Sequence, residues 1–389
     1  MRDEASLEVS FRPDAIQSSY ARQITDKFLC GTLESPRPVH RSFKTPPSWL
    51  GEDEWIANAF SQMKPKLVII LGPTGVGKSE VAIDVALGVG GEIINADSQQ
   101  VYRAMDIGTG KPTPEKRQKL PHHLIDIVDP DEEFNVALFR EKALESAEAI
   151  WSRGKKVVVC GGTGLYIKAL THGLFVGPAK NPAIRKRLEQ EAGENGLETL
   201  YLRLGRVDPD ALPSIHPNDR YRIIRALEVF EMTGKRMSQW QKEHGFKESP
   251  FEILKIGLNR EREDLYGLIN RRCEEMVANG LVQEVRGLVD RGYRLDLKPM
   301  QSVGYRHMGL YLSGAMGLEE AVSLMQRDTR HLAKRQLTWF RADKEIRWFH
   351  PERERRVILE VAREFFIRNS FEQELPVRLD REAKGKNNP

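Results

Sequence analysis

The sequence predicts an α/β fold: a parallel sheet flanked by helices, as in P-loop NTPases, with an all-α helical insertion domain. Short apolar runs alternate with amphipathic stretches from Leu67 onward, in KLVIIL, GEIINAD, HHLIDIVD and KKVVVCGG. This alternation is typical of βα units. The first run leads directly into GPTGVGKS, which matches the phosphate-loop pattern G-x-x-x-x-G-K-[ST]. From about residue 182 to 298 the runs become charged and helical in period, which predicts the insertion.

The chain therefore divides into four segments. Residues 1–62 contain prolines and no sustained apolar period, so we expect a poorly ordered extension with one short helix in GEDEWIANAF. The other predicted segments are a catalytic core at 63–181 and 299–350, the insertion at 182–298, and a C-terminal helix with a polar tail at 351–389.

Composition excludes several classes of protein. The chain has 389 residues, of which 40% are hydrophobic and 30% charged, as in ordinary globular proteins. No apolar run approaches the roughly 18 residues of a membrane span, and the acidic start MRDEASLEVS is unlike a signal peptide. The three cysteines are widely spaced, which predicts a reducing cytoplasm. Because the net charge is only +4, a nucleic-acid partner depends on where the charge lies.

The phosphate loop predicts a site for a diphosphate or triphosphate. In such loops backbone N–H groups and a helix N-terminus point at one anion, Lys78 adds positive charge, and the Ser79 hydroxyl can ligate Mg²⁺. A glycine-rich helix cap that binds nothing is the alternative, and the preceding strand and the Lys-Ser pair disfavour it. The predicted loop residues are Gly72, Pro73, Thr74, Gly75, Val76, Gly77, Lys78 and Ser79.

Two further strand ends carry candidate catalytic groups. Asp97 follows the second run, at the sheet edge where ligands of α/β proteins bind, and can serve as a Mg²⁺ ligand or a general base. It can also merely cap the next turn. The KKVVVCGG run ends in glycines and Thr163, where an NTPase would place an Asp to hold Mg²⁺. Thr163 offers a hydroxyl, although a tight turn and helix cap would use the same residues.

A basic helix near the C-terminus is a candidate RNA-binding element. At about 100° per residue, four of its cations fall within roughly 60° of one another, with Trp339 and Phe340 interleaved. Such a stripe suits a phosphate backbone and unstacked bases, whereas many charge runs are only solvated faces. A second arginine cluster lies in IHPNDRYRIIRALEV. The four cations of the stripe are Arg327, Arg330, Lys334 and Arg341.

The motifs together resemble one family, the tRNA dimethylallyltransferases (tRNA isopentenyltransferases) of the bacterial type. The resemblance covers residues 67–349 and departs at Gly110, where the family commonly has Ala, at Gln99, where Met or Ala is frequent, and at Arg220, where Pro is frequent. The zinc finger of eukaryotic members is absent. The ordered motifs are GPTGVGKS, INADSQQVYRAMDIGTGKP, PHHLIDIVDP, GGTGLYIKAL, HPNDRYRIIRALEV, MQSVGYR and KRQLTWFR.

The resemblance implies a chemistry for the loop. It would hold the diphosphate of dimethylallyl diphosphate, with Mg²⁺ at Ser79 and no nucleotide hydrolysis, although the loop also matches an ATP-binding pattern. The acceptor would be N6 of the adenosine 3′ of the anticodon, in tRNAs that read codons beginning with U. Asp97 would act as the base, and Thr163 and Lys78 would assist.

The resemblance also implies a monomeric enzyme with a tRNA-binding surface and no membrane contact. The tRNA anticodon stem-loop would contact Asp97, Ser98, Gln99, Gln100, Thr163, Arg185, Tyr221, Arg222, Ile223, Ile224, Arg225, Gln301, Ser302, Val303, Gly304, Tyr305, Arg306, Lys334, Arg335, Gln336, Leu337, Thr338, Trp339, Phe340 and Arg341.

Three other functions would share parts of the pattern. A P-loop small-molecule kinase leaves the helical insertion and KRQLTWFR unexplained. An adenylate isopentenyltransferase, which makes free cytokinin from AMP or ADP, would share the donor site and lack the tRNA segments. A non-enzymatic RNA-binding protein would not need the intact set of Lys78, Ser79 and Asp97.

Overall fold

The computed structural model describes residues 64–174, 178, 180–244 and 249–368. The predicted N-terminal extension, its short helix and the polar C-terminal tail lie outside the described residues. Within the described residues, no helix combines the length and the apolar character that crossing a membrane requires.

Six parallel strands form one sheet in the order β3-β2-β4-β1-β5-β6, which confirms the predicted fold class. The inner strands are near-continuous apolar runs, as expected for strands of a covered parallel sheet. Every residue from Leu67 to Leu71 is at most 1% exposed. The strands are β1 Lys66–Leu71, β2 Gly91–Asn95, β3 His122–His123, β4 Lys156–Gly161, β5 Glu252–Leu258 and β6 Arg347–Phe349.

Helices connect these strands and pack on them. The longest, α12, has 24 residues and alternates buried apolar positions such as Ala333 with exposed charges. The helices that begin outside the helical unit are α1 Lys78–Val89, α2 Pro114–Lys119, α3 Val136–Ser152, α4 Gly164–His172, α9 Arg262–Ala278, α10 Leu281–Asp290, α11 Tyr305–Leu312, α12 Leu318–Arg341 and α13 Arg355–Ile367.

Residues 168–249 form a separate compact helical unit, which the chain enters within α4. Its core contains Leu188, Leu200 and Leu204. The carboxylate of Glu228, fully buried, bonds to Arg185 and Arg225, each at 2.8 Å. The other helices of this unit are α5 Pro182–Glu194, α6 Leu197–Val207, α7 Arg220–Thr233 and α8 Met237–His244, with a 3-10 turn at Pro209–Ser214.

The helical unit has different bounds from the predicted insertion at 182–298. The unit ends at Ser249, and β5 then pairs with β1 in the sheet. Sequence analysis did not predict β5, because Lys255 interrupts the apolar run of this strand. The lysine is buried at 4% exposure, and its ammonium bonds to Asp343 at 2.8 Å and Glu345 at 2.7 Å, so the charge is neutralised inside the fold.

Gly161→Ala should destabilise the protein, because a Cβ there would lie 2.2 Å from the carbonyl oxygen of Ala96. Such overpacking typically costs about 1–3 kcal/mol in the free energy of unfolding. The control is Gly267→Ala within α9, where no atom lies within 4 Å and helix propensity predicts a gain of up to about 1 kcal/mol. Urea denaturation would measure both, and a Gly161→Ala protein as stable as the wild type would contradict the close approach.

Candidate active site

The phosphate loop joins β1 to α1 at the carboxyl edge of the sheet. Gly77 has φ 101°, a left-handed conformation that glycine adopts without strain, and it immediately precedes the first helical residue, Lys78. At Gly72 a Cβ would lie 2.7 Å from the carbonyl oxygen of Leu258, so only glycine fits between β1 and β5. The N-terminus of α1 therefore faces the ligand edge, as the sequence pattern predicted.

Lys78, the first residue of α1, has no ion pair with a carboxylate of the described residues. Its Nζ donates to the carbonyl oxygen of Pro73 at 2.7 Å. Burial, together with the nearby guanidinium of Arg272, lowers the pKa of Lys78 to about 8, and the negative charges of Cys160 and Asp97 partly oppose this shift. A bound anion would supply the negative charge that favours the ammonium form.

Asp97 and Thr163 lie on neighbouring loops that a hydrogen bond joins. Asp97 follows β2, and its Oδ1 accepts from the N–H of Gln99 at 2.8 Å, so the turn cap considered from the sequence is present. Thr163 Oγ1 accepts from the N–H of Ser98 at 3.1 Å. The Thr163 hydroxyl therefore fixes the loop that carries Asp97, while its carbonyl accepts from Tyr166 at 2.9 Å, in the first turn of α4.

Two adjoining cavities open at this edge of the sheet. The P-loop cavity, of about 650 Å³, is lined by Gly75, Lys78 and Ser79 among others. The second cavity, of about 540 Å³, is lined by residues that include Ser98 and Thr163. Asp97 therefore lies where the two cavities meet. The residues that line both are Thr74, Asp97, Thr109, Arg272, Met276, Leu332 and Gln336.

Arg272, on α9, is a site residue that the sequence reasoning missed. Its guanidinium lies against the backbone of Gly110, where a Cβ would be 1.9 Å from Nη2. Burial lowers its pKa, opposed by the negative charge of Asp97. No salt bridge joins Arg272 to a carboxylate of the described residues. The run INRRCEEM gave no signal for this role, because helical periodicity does not show which arginine enters a cavity.

Gln99 lines the second cavity and carries a buried acceptor that no donor of the described residues reaches. Its side-chain Oε1 is buried and accepts no hydrogen bond within the described structure. A buried carbonyl oxygen without a hydrogen-bond donor typically costs about 1–3 kcal/mol.

Comparison with known proteins identifies the family. The IPP transferase model matches residues 100–343, and the isopentenyl transferase model matches residues 65–131. A tRNA dimethylallyltransferase from Geobacter sulfurreducens is 51% identical over 303 residues, covering 78% of this chain and 97% of the relative. The chain belongs to the IPP transferase family.

Solved structures of IPP transferases show the same fold. The full-length tRNA isopentenylpyrophosphate transferase from Bacillus halodurans is 42% identical, with a TM-score of 0.58 over 78% of this chain and 96% of that chain. A eukaryotic dimethylallyltransferase described as acting on tRNA is 27% identical, with a TM-score of 0.66 over 78% of this chain and 80% of that one. The parallel sheet flanked by helices is therefore the architecture of the family.

Four of the expected tRNA-contacting side chains are buried in this IPP transferase. Ile223 and Ile224 lie in the core of the helical unit at 0% and 2% exposure, and Tyr305 and Phe340 are 0% and 3% exposed. These four side chains face the protein interior and offer little surface to a ligand, so contact of these positions with tRNA stays a prediction. Arg185 and Arg225 are held by Glu228.

Other expected contact residues are available to a ligand. Tyr221 is 63% exposed and Trp339 43% exposed. Ser302, Val303 and Arg306 line the second cavity. The predicted positions that are exposed or line this cavity are Asp97, Ser98, Gln99, Thr163, Tyr221, Arg222, Gln301, Ser302, Val303, Arg306, Lys334, Arg335, Gln336, Thr338, Trp339 and Arg341.

The predicted basic stripe is only partly free on α12. Arg330 donates to Asn270 Oδ1 at 2.6 Å, and Arg327 pairs with Asp328 at 3.1 Å. Lys334 and Arg341 are exposed, and no ion pair joins either of them to another described residue. The cations of the predicted stripe that are exposed and have no ion pair among the described residues are therefore Lys334 and Arg341. Arg335, which lines the second cavity, follows Lys334 in the chain.

The residues of the P-loop cavity fit a magnesium ion held chiefly by a diphosphate. The described residues contain no cluster of three or more His, Cys, Asp or Glu that would bind a metal by itself. Ser79 and Asp97 both line the cavity and supply oxygen donors. Mg²⁺ usually keeps several waters and takes one or two protein oxygens together with substrate phosphates, so this sparse donor set suits it.

Binding of inorganic diphosphate should weaken as the pH rises above 8, because Lys78 loses its proton with a pKa of about 8 in the ligand-free protein. The anion favours the ammonium form, so binding above that pH takes up a proton. Calorimetry in buffers of different ionisation enthalpy would measure the uptake. Lys78→Met should bind more weakly and show only the titration of the ligand itself. Equal proton uptake by variant and wild type would contradict the assignment.

Proposed function

We propose that this protein transfers the dimethylallyl group of dimethylallyl diphosphate to N6 of the adenosine immediately 3′ of the anticodon in tRNA, releasing diphosphate. The observation that carries the proposal is the position of Asp97 between the P-loop cavity and the second cavity. A donor anchored by its diphosphate and an acceptor base can meet at that carboxylate. The tRNA dimethylallyltransferases to which the chain is about half identical support this assignment.

The P-loop cavity supports departure of the diphosphate. Breaking the allylic C–O bond leaves its electron pair on the diphosphate oxygen, where negative charge builds. Lys78, Arg272 and the backbone N–H groups at the start of α1 stabilise that charge, more strongly in a cavity than in water. A Mg²⁺ ion near Ser79 would neutralise further charge on the same oxygens.

Asp97 supports attack by the amine. The N6 lone pair of adenine is delocalised into the ring, so the amine becomes an effective nucleophile only as its proton leaves. As the N6–C bond forms, the Asp97 carboxylate accepts that proton. The N–H of Gln99 and the contact between Ser98 and Thr163 hold the loop of Asp97 in place.

The second cavity supports a base taken out of its stack. An anticodon-loop base must leave its neighbours to bring N6 to Asp97. Ser98, Gln99 and Thr163 line this cavity with polar groups, and Arg335 and Arg306 at the same cavity would face phosphates. By its resemblance to the tRNA dimethylallyltransferases, the proposed activity is cytoplasmic and acts on tRNAs that read codons beginning with U. A monomer suffices for it, since one chain supplies both cavities.

Asp97→Ala should lower the rate of transfer by the roughly 10²- to 10⁴-fold typical of a lost general base. Affinity for tRNA should change little, because the carboxylate acts in the transition state. Single-turnover prenylation of an anticodon stem-loop would measure the rate, and Asp131→Ala, at an exposed position, is the control. A near-normal rate would remove Asp97 from the mechanism. Efficient prenylation of AMP would favour an adenylate isopentenyltransferase, and ATP hydrolysis would favour a kinase.

Changing Lys334 and Arg341 together to Ala should raise the KM for tRNA and flatten its dependence on salt. Each phosphate contact releases counterions, so losing two contacts should lower the slope of log K against log salt by about 2. The matched control changes Lys64 and Lys155, exposed lysines that precede β1 and β4 at the opposite edge of the sheet. Unchanged tRNA kinetics at every salt concentration would show that α12 does not follow the RNA backbone.

A further inference from the structure

Gln336 joins two loops of the site that are far apart in the sequence. It lies on α12, and its Oε1 accepts from the N–H of Thr74 in the phosphate loop at 2.8 Å. Its Nε2 donates to the carbonyl oxygen of Gly162 at 2.9 Å. The side-chain amide is thus bonded at both ends, and these two bonds fix which way it faces.

The Gly162 loop is shaped to admit this side chain. A Cβ at Gly162 would lie 2.5 Å from Gln336 Nε2, so a larger residue there would push the amide away from the loop. Gln336 also lines both the P-loop cavity and the second cavity. Gly162, one of the glycines that end the KKVVVCGG run, therefore allows a close approach to α12.

The bond to Gly162 continues toward the base. The next residue, Thr163, accepts from the N–H of Ser98 at 3.1 Å, and its own N–H donates to Ala96 at 3.3 Å. These contacts flank Asp97 on both sides. A continuous set of hydrogen bonds therefore runs from Thr74 through Gln336 and the Gly162 loop to the loop that carries the carboxylate.

We propose that Gln336 is a positioning residue for the transfer, which holds the phosphate loop and the Gly162 loop at a fixed separation. Through that separation it sets the distance between the donor carbon and the amine whose proton Asp97 accepts. The inference rests on the proposed function, and it assigns to Gln336 a role other than the RNA contact expected from the sequence. A misplacement of about 1 Å between reacting groups can cost about 10²-fold in rate.

Gln336→Met keeps the length of the side chain and removes both hydrogen bonds. At saturating dimethylallyl diphosphate and tRNA, the single-turnover rate should fall by about 10²-fold. Affinities for tRNA and for inorganic diphosphate should stay close to those of the wild type. The matched control is Gln326→Met on the same helix, whose amide bonds to Glu274 at 2.9 Å and which lines neither cavity. It should keep the wild-type rate.

Hydrogen exchange at the Thr74 amide tests the same contact without catalysis. In the ligand-free protein, exchange at Thr74 should be faster in Gln336→Met than in the wild type and unchanged in Gln326→Met. Gln336→Glu retains an acceptor for Thr74 and has no donor for Gly162, so it should keep the protection of Thr74 and still lose transfer rate. If Gln336→Met does not fold, Gln336→Glu tests the proposed role of Gln336 instead.

Two results would overturn the proposal. A Gln336→Met protein with a normal saturated rate and weakened tRNA affinity would make Gln336 an RNA contact. Unchanged hydrogen exchange at the Thr74 amide would show that its hydrogen bond to Gln336 does not form in solution. A wild-type protein that fails to prenylate tRNA would refute the proposed function. The exchange experiment would still decide whether Gln336 holds the phosphate loop through its hydrogen bond to Thr74.

Discussion

The register of three parallel strands determines where the chemistry lies. β4 pairs with β1 on one side and β2 on the other, so that Leu71 lies opposite Gly161 and Asn95 opposite Cys160. Each of the three strands therefore ends at the same edge of the sheet. The loops that follow them carry Lys78, Thr163 and Asp97, and a shift of one strand by a single residue would separate these groups and turn every side chain to the other face.

Two cations of the site, Lys78 and Arg272, form no ion pair with a carboxylate of the described residues. Lys78 and Arg272 both have lowered pKa values because burial disfavours their charged forms, and each also lies near the negative charge of Asp97. A carboxylate bonded directly to either cation would have offset the cost of burying that charge. It would also have occupied the place of the diphosphate. The arrangement thus favours an anionic ligand by keeping two cations near a single base.

The helical unit shows how charge patterns in a sequence can mislead. The run RYRIIRALEV resembles a basic surface, yet Arg225 lies beside the buried carboxylate of Glu228, and Ile223 lies in the core. Removing one partner of such a buried pair would leave an uncompensated charge, so these arginines hold the unit together. Tyr221 and Arg222 are the members of the run that remain exposed.

The sequence alone determined the features that depend on residues close together along the chain. The phosphate loop, four of the six strands and the position of Asp97 at a strand end follow from glycine geometry and apolar periodicity, and the structure has them as predicted, whereas β5 and β6 were missed. Tertiary structure decided which distant residues complete the site. Arg272 reaches the cavities only because α9 packs there, and Gln336 bonds to loops 262 and 174 residues away. Local patterns do not record such contacts, because burial and pairing depend on elements that meet only in the folded chain.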